Sequence, residues 1–232
     1  MSTPAVQKSL DYFRIAWQSA LAGSICLGLP AGLMFWLFIL QQIKPSHILE
    51  KLMTVLQAYA MAEIAGVLVG AFAWGILLNR ISGYRTWWLL AVAGMLGLYL
   101  GRRLFWIIYV WINYDFTGLP IHVVLAIHLN GLILSVTFCT GLSHGLILRN
   151  WKAALTLALT TSLVSVLASV LTFIVLDQLG VRVGTGNAAM PKVAAICTMV
   201  TGITGGMALG VGFTRFLRQE SLQSFPQNME DK

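Results

Sequence analysis

Charge is scarce in this sequence. Of 232 residues, 15 are Lys or Arg and 8 are Asp or Glu, so only 10% are charged, while 58% are hydrophobic. A soluble domain of ordinary composition carries about 25% charged residues. A water-soluble fold this apolar lacks the polar surface to cover its core. That excludes a soluble enzyme and a disordered chain. Cysteine is scarce too. Cys26, Cys139 and Cys197 lie inside apolar runs, three is an odd number, and no CxxC pair exists. A disulfide framework and a zinc site are excluded, and the three thiols read as small packing residues. HExxH, a Walker loop and paired aspartates deep in an apolar run are all lacking. The common intramembrane protease and ATPase chemistries therefore have no machinery here, and no metal or other cofactor is expected.

What the sequence has is long apolar runs. A helix needs roughly 20 mostly apolar residues to cross a bilayer. Six segments qualify: about Ile15 to Leu40, Leu52 to Leu78, Thr86 to Ile112, Ile121 to Leu148, Ala153 to Leu176, and Ala189 to Leu217. The expected fold is all-α, a bundle of six transmembrane helices spanning residues 15–218. Residues 1–14 form a cytoplasmic segment before it, and 219–232 a disordered cytoplasmic tail. The longest connections, Gln41–Lys51 and Asp177–Met190, are of ordinary loop length. The first span is too long for the h-region of a cleavable signal, so it reads as a permanent anchor. Thr3–Arg14, with Val6, Leu10 and Phe13 on one side, reads as a short interfacial helix. The two halves of the chain show no matching pattern that would mark an inverted repeat.

Basic residues set the orientation. With the N-terminus cytoplasmic, Lys8, Arg14, Arg80, Arg85, Arg149, Lys152, Arg215, Arg218 and Lys232 face inward, against Lys44, Lys51, Arg182 and Lys192 outward. Both termini are then cytoplasmic, in a bacterial inner or thylakoid-like membrane. The net charge of +7 sits mostly at the inner surface, where anionic lipid attracts it. The cations are too scattered for nucleic-acid binding.

Small residues recur every four positions: Gly66 and Gly70, Gly97 and Gly101, Gly141 and Gly145, and Gly202, Gly206 and Gly210. Such spacing lets helix backbones approach closely in lipid. The fifth span carries seven hydroxyls, Thr156, Thr160, Thr161, Ser162, Ser165, Ser169 and Thr172, able to bond back to their own helix or across to another.

Ionisable residues inside the membrane are costly and mark function by default. Glu63 in the second span and Arg102 and Arg103 in the third reach a similar depth if the two spans run antiparallel. Consecutive helical residues lie ~100° apart, so both arginines cannot meet one carboxylate squarely. Either the pair fixes helix register while the second arginine turns outward, or the surplus positive charge binds an anionic solute or lipid headgroup. Tyr99, Trp106, Tyr109 and Trp111 lie on the same helix and are expected to wall such a site. A break in the third span at Gly101–Arg103 is a third arrangement.

Of the four histidines, His122, His128 and His144 belong to the fourth span. His128 and His144 are ~24 Å apart along one helix, too far to share a haem iron. Hydrogen bonding within the bundle is the expected role, with proton handling a further one for His128 beside Asn130. Gly141–Gly145 fits the string G-x-S-x-G, but a nucleophile elbow needs a strand–turn–helix setting and a histidine after the serine's acidic partner. Adjacent Ser143 and His144 point in different directions and make no dyad. Gly184–Ala189 fits a dinucleotide string with no strand before it, so it reads as a loop capping the sixth span through Asn187 and Pro191.

The polar site expected from sequence is Glu63, Arg102, Arg103, His128 and Asn130. It suits a permease, a channel or a lipid- or anion-binding membrane component, as a homo-oligomer or within a larger complex. A non-catalytic anchoring or assembly subunit is the second reading. The third is an intramembrane enzyme with His128 or His144 as base.

Overall fold

The computed structural model of the protein describes residues 4–28, 69–112, 121–181 and 189–223. These form six α-helices and, among the described residues, no strand. They are α1 (Pro4–Gly23), α2 (Ala71–Ser82), α3 (Trp87–Ile112), α4 (Ile121–Ile147), α5 (Trp151–Gln178) and α6 (Ala189–Gln223). A π-helical turn, Ser24–Gly28, comes directly after α1. Four helices contain stretches long and apolar enough to cross a membrane: Trp87–Ile108, Ala126–Ile147, Trp151–Gln178 and Ile196–Gln219. That is the make-up of a multi-pass membrane protein. Residues 29–40 of the expected first span and 52–68 of the expected second, with Glu63, Gly66 and the Gln41–Lys51 loop, lie outside the described residues.

The last four expected spans match α3 to α6 within a few residues, because their ends are marked by local chemistry. Gly83 ends α2 in the left-handed conformation, φ 74°, and its N–H donates to the Asn79 carbonyl. Only glycine adopts that geometry without steric cost. The Asn79 side chain bonds the Tyr84 carbonyl across the same turn. Asn150 caps α5, its side-chain oxygen accepting from Ala153 N at 3.2 Å. Between α4 and α5 the chain reverses in three residues, and Arg149 takes a positive φ of 52° to do so. The N-terminal segment is not a separate interfacial helix: α1 runs unbroken from Pro4 to Gly23. Nor is α3 broken at Gly101–Arg103, since its helix is continuous. At the other end, α6 continues to Gln223, through the first residues of the expected tail.

Each helix packs on its neighbour in the chain, and α6 packs back on α1, so the described elements close into a ring. The glycines make the contacts. A Cβ at Gly101 would stand 2.6 Å from the Ser135 carbonyl oxygen of α4, and one at Gly141 2.7 Å from the Leu157 carbonyl oxygen of α5. At Gly206 it would stand 2.8 Å from Gly23 Cα of α1, and Gly145 lies as tightly against Ala154. No side chain larger than hydrogen fits at such positions, which is why these faces pack closely without any hydrophobic push from lipid.

Polarity is arranged inside out. On α5, Leu155, Leu159, Leu163, Leu167 and Leu171 are exposed, whereas Thr161, Ser165 and Ser169 are buried. In water this would be unstable; against acyl chains it is the expected arrangement. One end of the ring is basic. Arg218 stacks over the Tyr12 ring at 5.8 Å, and Tyr84 packs edge-on against Phe213 at 5.8 Å. The start of α1, the α2–α3 turn, the α4–α5 turn and the end of α6 therefore meet at one end. Arg14, Arg80, Arg85, Arg149, Lys152, Arg215 and Arg218 gather there.

Candidate functional site

The ring surrounds a cavity of about 50 Å³. Every helix of the ring reaches it: Gly23 from α1, Trp74 from α2, Gly94 from α3, Thr140 from α4, Thr161 from α5 and Thr201 from α6. Helical departures flank it. Cys26 comes from the π-turn after α1, and Gly70, directly before α2, is also π-helical. Such irregular turns often accompany functional sites. At roughly 10–15 Å³ of such space per water, the volume equals that of about three to five waters.

The wall is uncharged among the described residues and almost entirely apolar, although four threonines are among the residues that line it. Thr137 and Thr140 each donate to a carbonyl one turn back on α4, Ile133 at 2.6 Å and Val136 at 2.7 Å. Thr161 and Thr201 differ. They are 2% and 4% exposed, and neither hydroxyl has a hydrogen-bond partner. Burying a hydroxyl unsatisfied costs about 1–3 kcal/mol. Both residues line the cavity, but neither hydroxyl has surface open to it. The other threonines of α5 are satisfied along their own helix: Thr156 on Lys152, Thr160 on Thr156, Thr172 on Ala168. The unpartnered set, Thr161, Ser165 and Ser169, repeats every four residues on the inward face, with Ser165 against Gly205.

Toward the basic end the cavity is closed by an apolar cluster that includes Trp74, Leu78, Leu148, Leu157, Leu209 and Phe213. His144 is buried with them, 0% exposed. Trp74 Nε1 donates to His144 Nε2 at 3.1 Å, and His144 Nδ1 meets the Thr140 carbonyl oxygen at 2.8 Å. An indole N–H only donates, and a carbonyl only accepts. The imidazole is therefore held neutral with its proton on Nδ1. Both nitrogens are engaged, so in this arrangement His144 is not available as a base. Phe213 stands edge-on to the same ring, centroids 6.4 Å apart. Ser143 turns the other way and donates to Ala93 O on α3 at 2.7 Å, so serine and histidine form no dyad.

The residues expected as a polar site fall elsewhere. Glu63 lies outside the described residues. Arg102 is half-buried and Arg103 exposed, the separation that ~100° per residue requires. Arg103 Nε donates to Tyr99 O–H at 3.3 Å, and its guanidinium lies 5.3 Å from the centre of the Tyr99 ring. Tyr99 and Trp106, expected to wall a site, are themselves about half exposed on the outside of α3. His128, half-buried, packs edge-on against Phe105 at 6.3 Å. Asn130 donates to Ala126 O at 2.8 Å, while its side-chain oxygen is buried with no partner. None of these four described residues borders the cavity. The described residues contain no group of acidic, histidine and cysteine side chains suited to a metal.

Sequence reasoning missed the cavity and the Trp74–His144 bond. The second joins residues 70 apart and leaves no local trace. The first had a readable signal. Among the seven hydroxyls of the fifth span, Thr161, Ser162, Ser165 and Ser169 share a face with Ala154 and Ala158, and all six side chains are buried. Comparisons with family models, with curated proteins and with solved structures find no match to this chain.

Proposed function

We propose that this protein is a small permease or channel, with the ring of helices enclosing the route and the central cavity as its waist. The observation that carries this reading is the cavity itself. All six described helices converge on it, and two of its lining residues, Thr161 and Thr201, carry buried hydroxyls without partners. Ligand and solute sites of helix bundles form between the helices, which is where this space lies. The apolar cluster around Trp74 and Phe213 forms the closed end of the route in the conformation seen. The gathered cations favour the cytoplasmic surface for that end, with both termini on the same side.

The test is flux through liposomes containing the purified protein, with a panel of cations, anions including chloride and phosphate, and small neutral solutes. The wild-type protein raises the permeability to at least one member. Thr201→Phe, which fills the cavity, removes that increase while the variant elutes and melts as a folded protein. A wild-type protein inert toward the whole panel overturns the reading and points to an assembly subunit of a larger complex.

A further inference from the structure

We infer that the outward face of α3 is an interaction surface, and that its partner is a membrane helix of another protein carrying a carboxylate at mid-span. The inference stands apart from the permeation reading above. Gly97 and Gly101 turn one side of α3 to α4, and Gly94 turns to α2. The opposite side carries Leu96, Tyr99, Leu100, Trp106 and Ile107, each about half exposed, with the exposed Arg103 in their midst. Spacings of three and four residues put these six on one stripe. Against acyl chains the apolar members need nothing further. The guanidinium does, because a charge facing hydrocarbon is costly and is ordinarily paired.

Its position keeps it from the headgroups. At ~1.5 Å per residue, Arg103 stands roughly 14 Å before the end of α3. Its side chain leans the other way, as helical side chains do. Nε donates to the Tyr99 hydroxyl at 3.3 Å, and the guanidinium lies 5.3 Å from the centre of that ring. Tyr99 is roughly 18 Å from one end of the helix and 20 Å from the other, so the charge is held at mid-helix. The two terminal nitrogens remain for a partner, in the planar fork that grips both oxygens of one carboxylate. A second copy of this chain fits poorly, because the acidic residues of the described helices lie toward the ends of the ring. Asp11 is beside Arg14, Glu220 is in the last turn of α6 and Asp177 in the last turn of α5. A foreign helix with one Asp or Glu inside its apolar run matches the stripe in both surface and charge, and such a polar pair in lipid fixes which helix docks and at what depth.

The experiment places the full chain in liposomes with a dye-labelled polyleucine transmembrane peptide carrying one central Glu, and reads association by energy transfer. The Glu peptide is expected to bind about tenfold more tightly than the same peptide with Gln or Leu at that place. Arg103→Leu removes the preference, and Arg103→Glu transfers it to a peptide with a central Lys. Both variants elute as the wild type does, since the position is exposed. In native membranes, a photo-crosslinking residue in place of Leu100 then captures a protein with a carboxylate inside an apolar span, and neutralising that carboxylate abolishes the capture. A Glu peptide that binds no better than its controls, or a preference that survives Arg103→Leu, overturns the inference. So does a crosslink to a second copy, to another part of the same chain, to a protein without such a carboxylate, or to phospholipid alone.

Discussion

At the scale of single residues, the most constrained group is His144. Its two nitrogens are satisfied by one donor and one acceptor from different helices, which ties α2 to α4 through a directional bond. Replacing Trp74 by Phe keeps an aromatic ring in the apolar cluster but removes the donor to Nε2. The variant is expected to lose about 1–3 kcal/mol, the cost of an unsatisfied buried acceptor. Thermal unfolding in detergent measures it; a melting temperature unchanged from wild type would show that the bond contributes nothing. The arginines of α3 were only half legible. That Arg102 and Arg103 diverge could be read from helical geometry alone. That Arg103 turns to Tyr99 one turn back, and not to the bundle interior, depends on which face of α3 packs on α4, and Gly97 and Gly101 decide that face.

At the scale of elements, α3 to α5 were legible to within about two residues at each end, whereas α6 starts where expected but runs six residues past Leu217. The expectation of a separate helix over Thr3–Arg14 failed because no breaker separates that segment from Ile15, and its polar residues continue the same helical path into the apolar run. The α4–α5 hairpin concentrates local energetics in three residues. Asn150 caps α5 through Ala153 N, so Asn150→Ala is expected to cost about 1 kcal/mol. Arg149 sits in the left-handed region, where glycine is free of steric cost, and Arg149→Gly in the same background is expected to recover part of that loss. Paired melting curves of the single and double variants check both signs.

At the scale of the molecule, the composition alone marked a membrane protein, and the structure adds closure. Closure was not legible, since it depends on α1 meeting α6, a contact between the two ends of the chain carried by Ser19, Gly23, Gly206 and Gly210. The candidate site was illegible for the same reason: no single span carries it, and charge, the usual sign of function in a membrane, is missing from its described wall. The uneven distribution of cations yields one more expectation. In intact cells or right-side-out vesicles, a membrane-impermeant thiol reagent should label Gln178→Cys and spare Arg149→Cys, since the α5 ends lie on opposite sides of the bilayer. Labelling in the reverse pattern would invert the proposed orientation.

The same meeting of first and last helices sets a schedule for biosynthesis. A chain emerging from the ribosome delivers α1 early and α6 last. Until α6 arrives, Ser19 on α1 and Ser165 on α5 have no glycine face to cover them, because Gly210 and Gly205 supply it. The nascent protein is thus an open arc with its hydroxyl seam turned toward lipid, and only the final helix shuts it.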